Sequence, residues 1–180
     1  MTPTNLHLGC GKKFIPGFIH IDARKFNHSD YVCQLDDLSI FKSDSVDLIY
    51  ASHVLEHFKR YECKTALREW HRVLRPGGTL RLAVPDFEAI VKIYQEKKDV
   101  ELLIGLLYGG QDYQYNYHHI VFDFESLSKL LSSVGFVNIH RYDWKQTIHK
   151  DYDDYSQAYL PHMDKDHGLL MSLNVECNKK

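Results

Sequence analysis

The change of period at Val54 limits what this chain can fold into. Before it, apolar residues come in short blocks: Thr4 to Leu8, Phe18 to Asp22, Tyr31 to Leu35 and Val46 to Ala51 each have the length and composition of a strand. Val46-Asp47-Leu48-Ile49-Tyr50-Ala51 is mostly apolar, as a strand buried on both faces should be. From Val54 to Leu74 the positions Leu55, Phe58, Ala66, Leu67, Trp70, Val73 and Leu74 recur mostly at helical spacings, until Arg75-Pro76-Gly77-Gly78 stops the helix and turns the chain. Thr79 to Val84 reads as a fifth strand, Phe87 to Tyr94 and Val100 to Leu107 as helix, and Glu125 to Val134 as a helix closed by Gly135. Phe136 to Tyr142 and Leu169 to Cys177 read as the last strands, with an acidic, tyrosine-rich segment of no clear pattern between them. Strands alternating with helices imply an α/β fold whose mainly parallel sheet is covered on both faces. The 180 residues suit one domain, 1–180.

Bulk properties exclude several classes. A net charge of -2 argues against a polyanion-binding surface, so there is no strong nucleic-acid signature. No apolar run is long enough to span a bilayer. Met1-Thr2-Pro3-Thr4-Asn5 lacks the basic and apolar blocks of a signal peptide, so a cytoplasmic protein is expected. The four cysteines, at 10, 33, 63 and 177, form no C-x-x-C pair and are expected to be reduced thiols.

In parallel sheets ligands bind at the carboxyl ends of the strands. That rule picks out Gly9-Cys10-Gly11, Asp22, Gln34-Leu35, Ala51-Ser52-His53 and Pro85-Asp86. Glycines at 9 and 11 let the backbone turn sharply and approach a ligand. Asp22, ending the next strand, is placed to accept hydrogen bonds from ribose hydroxyls, and Gln34 to bond an adenine edge. The dinucleotide fingerprint fails, because Phe14 stands where Gly or Ala is needed, and no Gly-Lys-Ser/Thr phosphate loop follows. Only Lys12 to Phe18 separate the loop from the second strand, too few for a crossover helix. A pyrophosphate would need that helix N-terminus, whereas a phosphate-free nucleoside such as S-adenosylmethionine would not. Residues 12 to 18 are expected to hold at most one helical turn.

Three motifs in order carry a family resemblance. Leu6-His7-Leu8-Gly9-Cys10-Gly11 resembles the first motif of class I S-adenosylmethionine-dependent methyltransferases, and Val46 to His57 their fourth-strand motif. Glu69-Trp70-His71-Arg72-Val73-Leu74-Arg75-Pro76-Gly77-Gly78 resembles the helix and turn before their fifth strand. The detail is closest to small methyltransferases linked to glycan or cell-surface biosynthesis, which share a segment like Asn116-Tyr117-His118-His119-Ile120-Val121-Phe122. The resemblance implies a three-layer Rossmann-like fold, with a seven-stranded sheet, a closing antiparallel strand and an abbreviated first helix. It implies S-adenosylmethionine as cofactor, with Leu8, Gly9, Cys10 and Gly11 passing its methionine and ribose moieties and Asp22 holding the ribose. Gln34 and Leu35 would sit at the adenine, and Ala51, Ser52 and His53 near the sulfonium. The sequence departs from the wider family at His7, where an acid is common, and at Lys13, where a third glycine is.

The twelve histidines include two notable groups. His53-Val54-Leu55-Glu56-His57 matches H-x-x-E-H, an inverted zinc-protease pattern that needs both histidines inside a helix. The methyltransferase motif accounts for the same residues, so no metal is expected and zinc hydrolysis stands as the alternative. His118 and His119 fall in a loop that often caps the acceptor pocket of the family. Transfer to a hydroxyl gains from a base near neutral pKa, and His118 is the candidate, with Asp86 as rival. Tyr113, Tyr115 and Tyr117 could stack on an acceptor. The expected reaction is O-methylation of a small molecule or glycan, the other possibility being a non-catalytic cofactor-binding module.

Overall fold

The computed structural model describes residues 3–180. Its sheet is built from β1 (Asn5–Leu8), β2 (Ile19–Asp22), β3 (Tyr31–Val32), β4 (Val46–Ser52), β5 (Leu74–Pro85), β6 (Phe136–Arg141) and, after a short hairpin of β7 (Tyr159–Leu160) and β8 (Leu169–Leu170), β9 (Ser172–Lys179). The seven strands lie in the order β3-β2-β1-β4-β5-β9-β6. β9 runs antiparallel to both β5 and β6, and the other pairings are parallel. The expected sheet with its closing antiparallel strand is therefore present. Strand order reverses between β1 and β4, which opens a crevice at their carboxyl ends.

Alternation along each strand sorts the side chains onto two unlike faces. Leu6, Leu8, Ile21, Ile49, Ala51, Leu80, Leu82, Leu173 and Val175 pack under α1 (Cys63–Val73) and, with Phe122 and Phe136, α4 (Phe124–Ser132) in one apolar core. The opposite face presents His7, His20, Tyr50, Arg81 and Glu176. Ile15 and Phe18 of the loop before β2 cover part of it, and the segment between β6 and β9 lays His149 and Asp154 against Tyr50. The Tyr50 hydroxyl donates to Asp154 at 2.5 Å, and the His149 ring lies tilted against Tyr50 with centroids 4.1 Å apart. The acidic, tyrosine-rich stretch without a periodic pattern is thus a lid on a polar sheet face. α2 (Phe87–Lys97) and α3 (Ile104–Tyr108) form a smaller cluster with Met171 and the hairpin.

Residues 12 to 18 contain no helix, only turns and irregular backbone, as the short linker requires. The helix expected from Val54 to Leu74 is divided. Leu55–His57 make one 3-10 turn, Phe58 is extended, and α1 begins at Cys63. A continuous helix would send the Glu56 carbonyl to the amide of residue 60, but His119 N–H takes that carbonyl at 2.8 Å. Arg75 to Gly78 likewise lie within β5, as a bulge between the pairs Val46–Leu74 and Leu48–Thr79. Among the described residues no helix is long and apolar enough to cross a membrane.

Candidate active site

A cleft of about 880 Å³ opens at the carboxyl ends of β1, β2 and β4. Such a volume suits a ligand of nucleoside size and a second molecule beside it. The loop after β1 is fixed by its own backbone, since Gly9 N–H and Cys10 N–H both donate to Ile21 O, at 2.8 and 3.3 Å. Gly9 and Gly11 have φ of +64° and +52°. A Cβ on Gly9 would run into Val54, whereas one on Gly11 would meet nothing within 4 Å. Gly11 therefore faces open cleft.

Asp22 ties two loops together. Its Oδ2 accepts Gly11 N–H and its Oδ1 accepts Arg24 N–H, both at 2.8 Å. Each oxygen keeps a lone pair on the cleft side, which fits a ligand bearing hydroxyls. Opposite, Gln34 Nε2 donates to the Tyr115 hydroxyl at 3.2 Å, and the Arg24 guanidinium lies 3.7 Å over the Tyr113 ring. The loop from 111 to 117 thus closes over the Gln34 end of the cleft. Leu35 lines the same end and gives its carbonyl to Trp70 Nε1–H at 2.6 Å.

The residues expected at the end of β4 divide by face. The Leu8 and Ala51 side chains lie in the apolar core, so only their backbone can serve the cleft. Ser52 lines the cleft, and its buried hydroxyl has no partner. His53 adopts a left-handed backbone with φ +52°, a conformation that costs a residue bearing a Cβ about 1–2 kcal/mol. That turn brings its Nδ1 to 3.1 Å from Glu56 Oε1 and its Nε2 to 3.5 Å from Ser172 Oγ. His53 stands outside any helix, so the helical geometry needed for the H-x-x-E-H zinc-hydrolase reading is not formed.

Glu56, His57 and His118 converge on the inner wall. Glu56 is fully buried, and His57 and His118 line the cleft. The His57 and His118 rings meet edge to face, 4.8 Å apart. Burial alone would raise the Glu56 carboxyl, but His53, His57 and His118 outweigh it and hold the group below its ordinary range. Burial lowers His118, with Glu56 opposing, so its imidazole is neutral near pH 7. The sequence pointed to His118 and showed Glu56 only within the H-x-x-E-H alternative, because no spacing rule reveals its burial. It gave no sign of Asp154 and Tyr155, which line the cleft from the segment between β6 and β9. Asp86 sits elsewhere. It caps α2 by accepting Glu88 N–H at 3.0 Å, pairs with Arg141 at 3.1 Å, and does not line the cleft.

Comparison with known proteins agrees with this architecture. A family model described as a methyltransferase domain matches residues 11–82. No curated protein gives a significant sequence match. Solved structures are similar in fold. A SAM-dependent methyltransferase from Thermotoga maritima aligns with a TM-score of 0.60 and 16% identity, over 98% of this chain and 82% of that one. The Burkholderia thailandensis 1,6-didemethyltoxoflavin-N1-methyltransferase, solved with 1,6-didemethyltoxoflavin and S-adenosylhomocysteine, gives 0.60 and 16% over 99% and 72%. A SAM-dependent methyltransferase from Methanosarcina mazei gives 0.58 and 17% over 99% and 93%. Residues 11–82 thus match a methyltransferase-domain model, and the chain as a whole shares the fold of these SAM-dependent methyltransferases.

Proposed function

We propose that this chain is an S-adenosylmethionine-dependent methyltransferase that methylates a hydroxyl of a small molecule or glycan in the cytoplasm. The observation that carries the reading is the Gly11–Asp22 pair. An open glycine backbone is tied at 2.8 Å to a carboxylate that retains acceptor capacity, at the switch point of a methyltransferase fold. The donor set fits the cofactor. Asp22 would accept from the ribose hydroxyls, Gln34 and Leu35 would border the adenine, and the unpartnered Ser52 hydroxyl and His53 would face the sulfonium end. The backbone of Leu8, Cys10 and Ala51 completes the wall. When bound, the cofactor supplies an activated methyl group, which leaves the protein mainly the task of alignment.

On the acceptor side, His118 offers the usable lone pair. Its Nδ1 lies 2.8 Å from Leu106 O, and a carbonyl can only accept, so Nδ1 carries the proton and Nε2 is bare. His118 is the residue we assign to activation of the acceptor hydroxyl. Asp86 has no part in it, because its carboxylate is committed to Arg141 and the α2 cap. Tyr113 and Tyr115 are placed to shield the bound nucleoside, and the cleft beyond them has room for the acceptor.

Calorimetric titration with S-adenosylmethionine and S-adenosylhomocysteine tests the reading. The wild type is expected to bind both, and Asp22→Ala to bind at least about tenfold more weakly, the size expected for lost charge-assisted hydrogen bonds. No binding to the wild type would overturn the assignment. A screen of nucleotide sugars and glycans then identifies the acceptor, with His118→Ala expected to keep cofactor affinity and lose turnover.

A further inference from the structure

We propose that Glu56, His57 and His118 form a site for one divalent transition-metal ion on the inner wall of the cleft. Glu56 and His57 come from the 3-10 turn after β4, and His118 from the loop after α3. One ligand atom from each lies within 4.8 Å of the others. Around a bound Zn²⁺ ligand atoms sit roughly 3–4 Å apart at bonds of about 2.1 Å, so a small rotation of the side chains closes the set.

Two independent features point to a cation. The first is Glu56. Its carboxylate is fully buried, and neither oxygen accepts a hydrogen bond of good geometry. Its charge-pair contacts are His53 Nδ1 at 3.1 Å and His118 Nε2 at 4.0 Å, both from Oε1. A buried carboxylate whose two oxygens lack well-formed hydrogen bonds keeps lone pairs that a cation would satisfy. The second feature is the matched tethering of the imidazoles. His57 Nδ1 lies 3.1 Å from Tyr117 O, and His118 Nδ1 lies 2.8 Å from Leu106 O. Both protons are therefore on Nδ1, and both rings offer a bare Nε2. Metal-bound histidines are characteristically held this way by a backbone carbonyl.

The ligand types choose the ion. Two imidazole nitrogens and one carboxylate suit Zn²⁺, Mn²⁺, Fe²⁺ or Co²⁺ better than the all-oxygen preference of Ca²⁺ or Mg²⁺. With His57 and His118 lining the cleft and Glu56 behind them, three protein ligands leave positions open on the cleft side for a bound molecule, as in catalytic sites. His53 is a positioning residue here, since it braces Glu56 and turns its Nε2 toward Ser172. The role of the ion rests on the methyl-transfer reading, though its binding does not. In that role it binds the acceptor hydroxyl and lowers its pKa, the proton leaving to water, and His118 activates the acceptor as a ligand of the ion.

The test uses tag-free full chain, stripped with chelator and titrated with Co²⁺. Expected are one equivalent bound per chain, visible d–d bands of a nitrogen–oxygen site, and displacement by Zn²⁺. His57→Ala and the isosteric Glu56→Gln should each weaken binding at least tenfold while keeping the wild-type circular dichroism. Absence of saturable one-to-one Co²⁺ binding in the wild type overturns the proposal, as does undiminished binding in both folded variants. Cofactor calorimetry on the same samples separates the two readings. S-adenosylmethionine binding without Co²⁺ uptake rejects the metal site alone, and Co²⁺ uptake without S-adenosylmethionine binding rejects the methyltransferase reading alone.

Discussion

Gly9 and Gly11 share a left-handed backbone, yet they answer to different constraints. At Gly9 a methyl group would strike Val54, a buried residue of the core beneath the loop. Gly9→Ala therefore adds overpacking to the cost of a positive φ, and we expect a loss of about 2–4 kcal/mol, read as a lower urea midpoint. At Gly11 the added methyl would project into open cleft. Gly11→Ala should cost only about 1 kcal/mol in stability and show its main effect in cofactor calorimetry. Both glycines were legible as a turn from sequence. Which of them serves packing and which serves the ligand depends on Val54, brought beneath the loop by the pairing of β1 with β4. The same limit applied to Glu56. Its spacing from His53 and His57 was visible, but its burial and its approach to His118 depend on the docking of the loop after α3.

Among the elements, α4 shows how far local signals reach. Asp123 and Ser126 form a reciprocal capping box, with Asp123 Oδ1 accepting Ser126 N–H at 2.7 Å and Ser126 Oγ accepting Asp123 N–H at 3.2 Å. A stop at Gly135 and a start near Glu125 followed from sequence, and the observed helix, Phe124–Ser132, agrees to within two residues at each end. Asp123→Ala should destabilise the protein by about 1 kcal/mol in chemical denaturation, since helix-start caps are worth roughly that much. The stretch from Val54 to Leu74 has a comparable apolar period but is not one helix. A tertiary hydrogen bond from His119 N–H claims the Glu56 carbonyl, so the chain breaks and restarts at Cys63. Local periodicity carries no record of a competitor that arrives more than sixty residues later.

For the molecule as a whole, the unusual feature is the polar layer between the sheet and its loop cover. His7 stacks on Tyr50 with ring centroids 5.4 Å apart and meets His20 at 5.5 Å. Burial first, then His20, His149 and His28, lowers His7 to about 3. Burial lowers His149 to about 4, with Asp154 opposing. An unfolded histidine titrates near 6.5. Below that pH the unfolded chain takes up protons that the folded chain refuses, so folding stability falls as pH drops from about 6.5 toward 3–4. Within that window each histidine contributes a slope of roughly 1.4 kcal/mol per pH unit. Melting temperatures recorded from pH 7 to 4 should fall steeply, and His7→Phe, which keeps an aromatic ring on Tyr50, should remove that one histidine's share of the slope. A slope unchanged in that variant would place the acid sensitivity elsewhere. The sequence by itself determined the order of strands and helices, the glycine turn, the strand-end acid and the missing first helix. These are short-range matters of period, φ preference and linker length. Only the tertiary structure decided that a patternless segment covers the polar face, that Asp86 caps a helix away from the cleft, and that Glu56, His57 and His118 meet. Each of those depends on contacts between distant parts of the chain, whose geometry is set by the packed sheet and left unrecorded in local spacing.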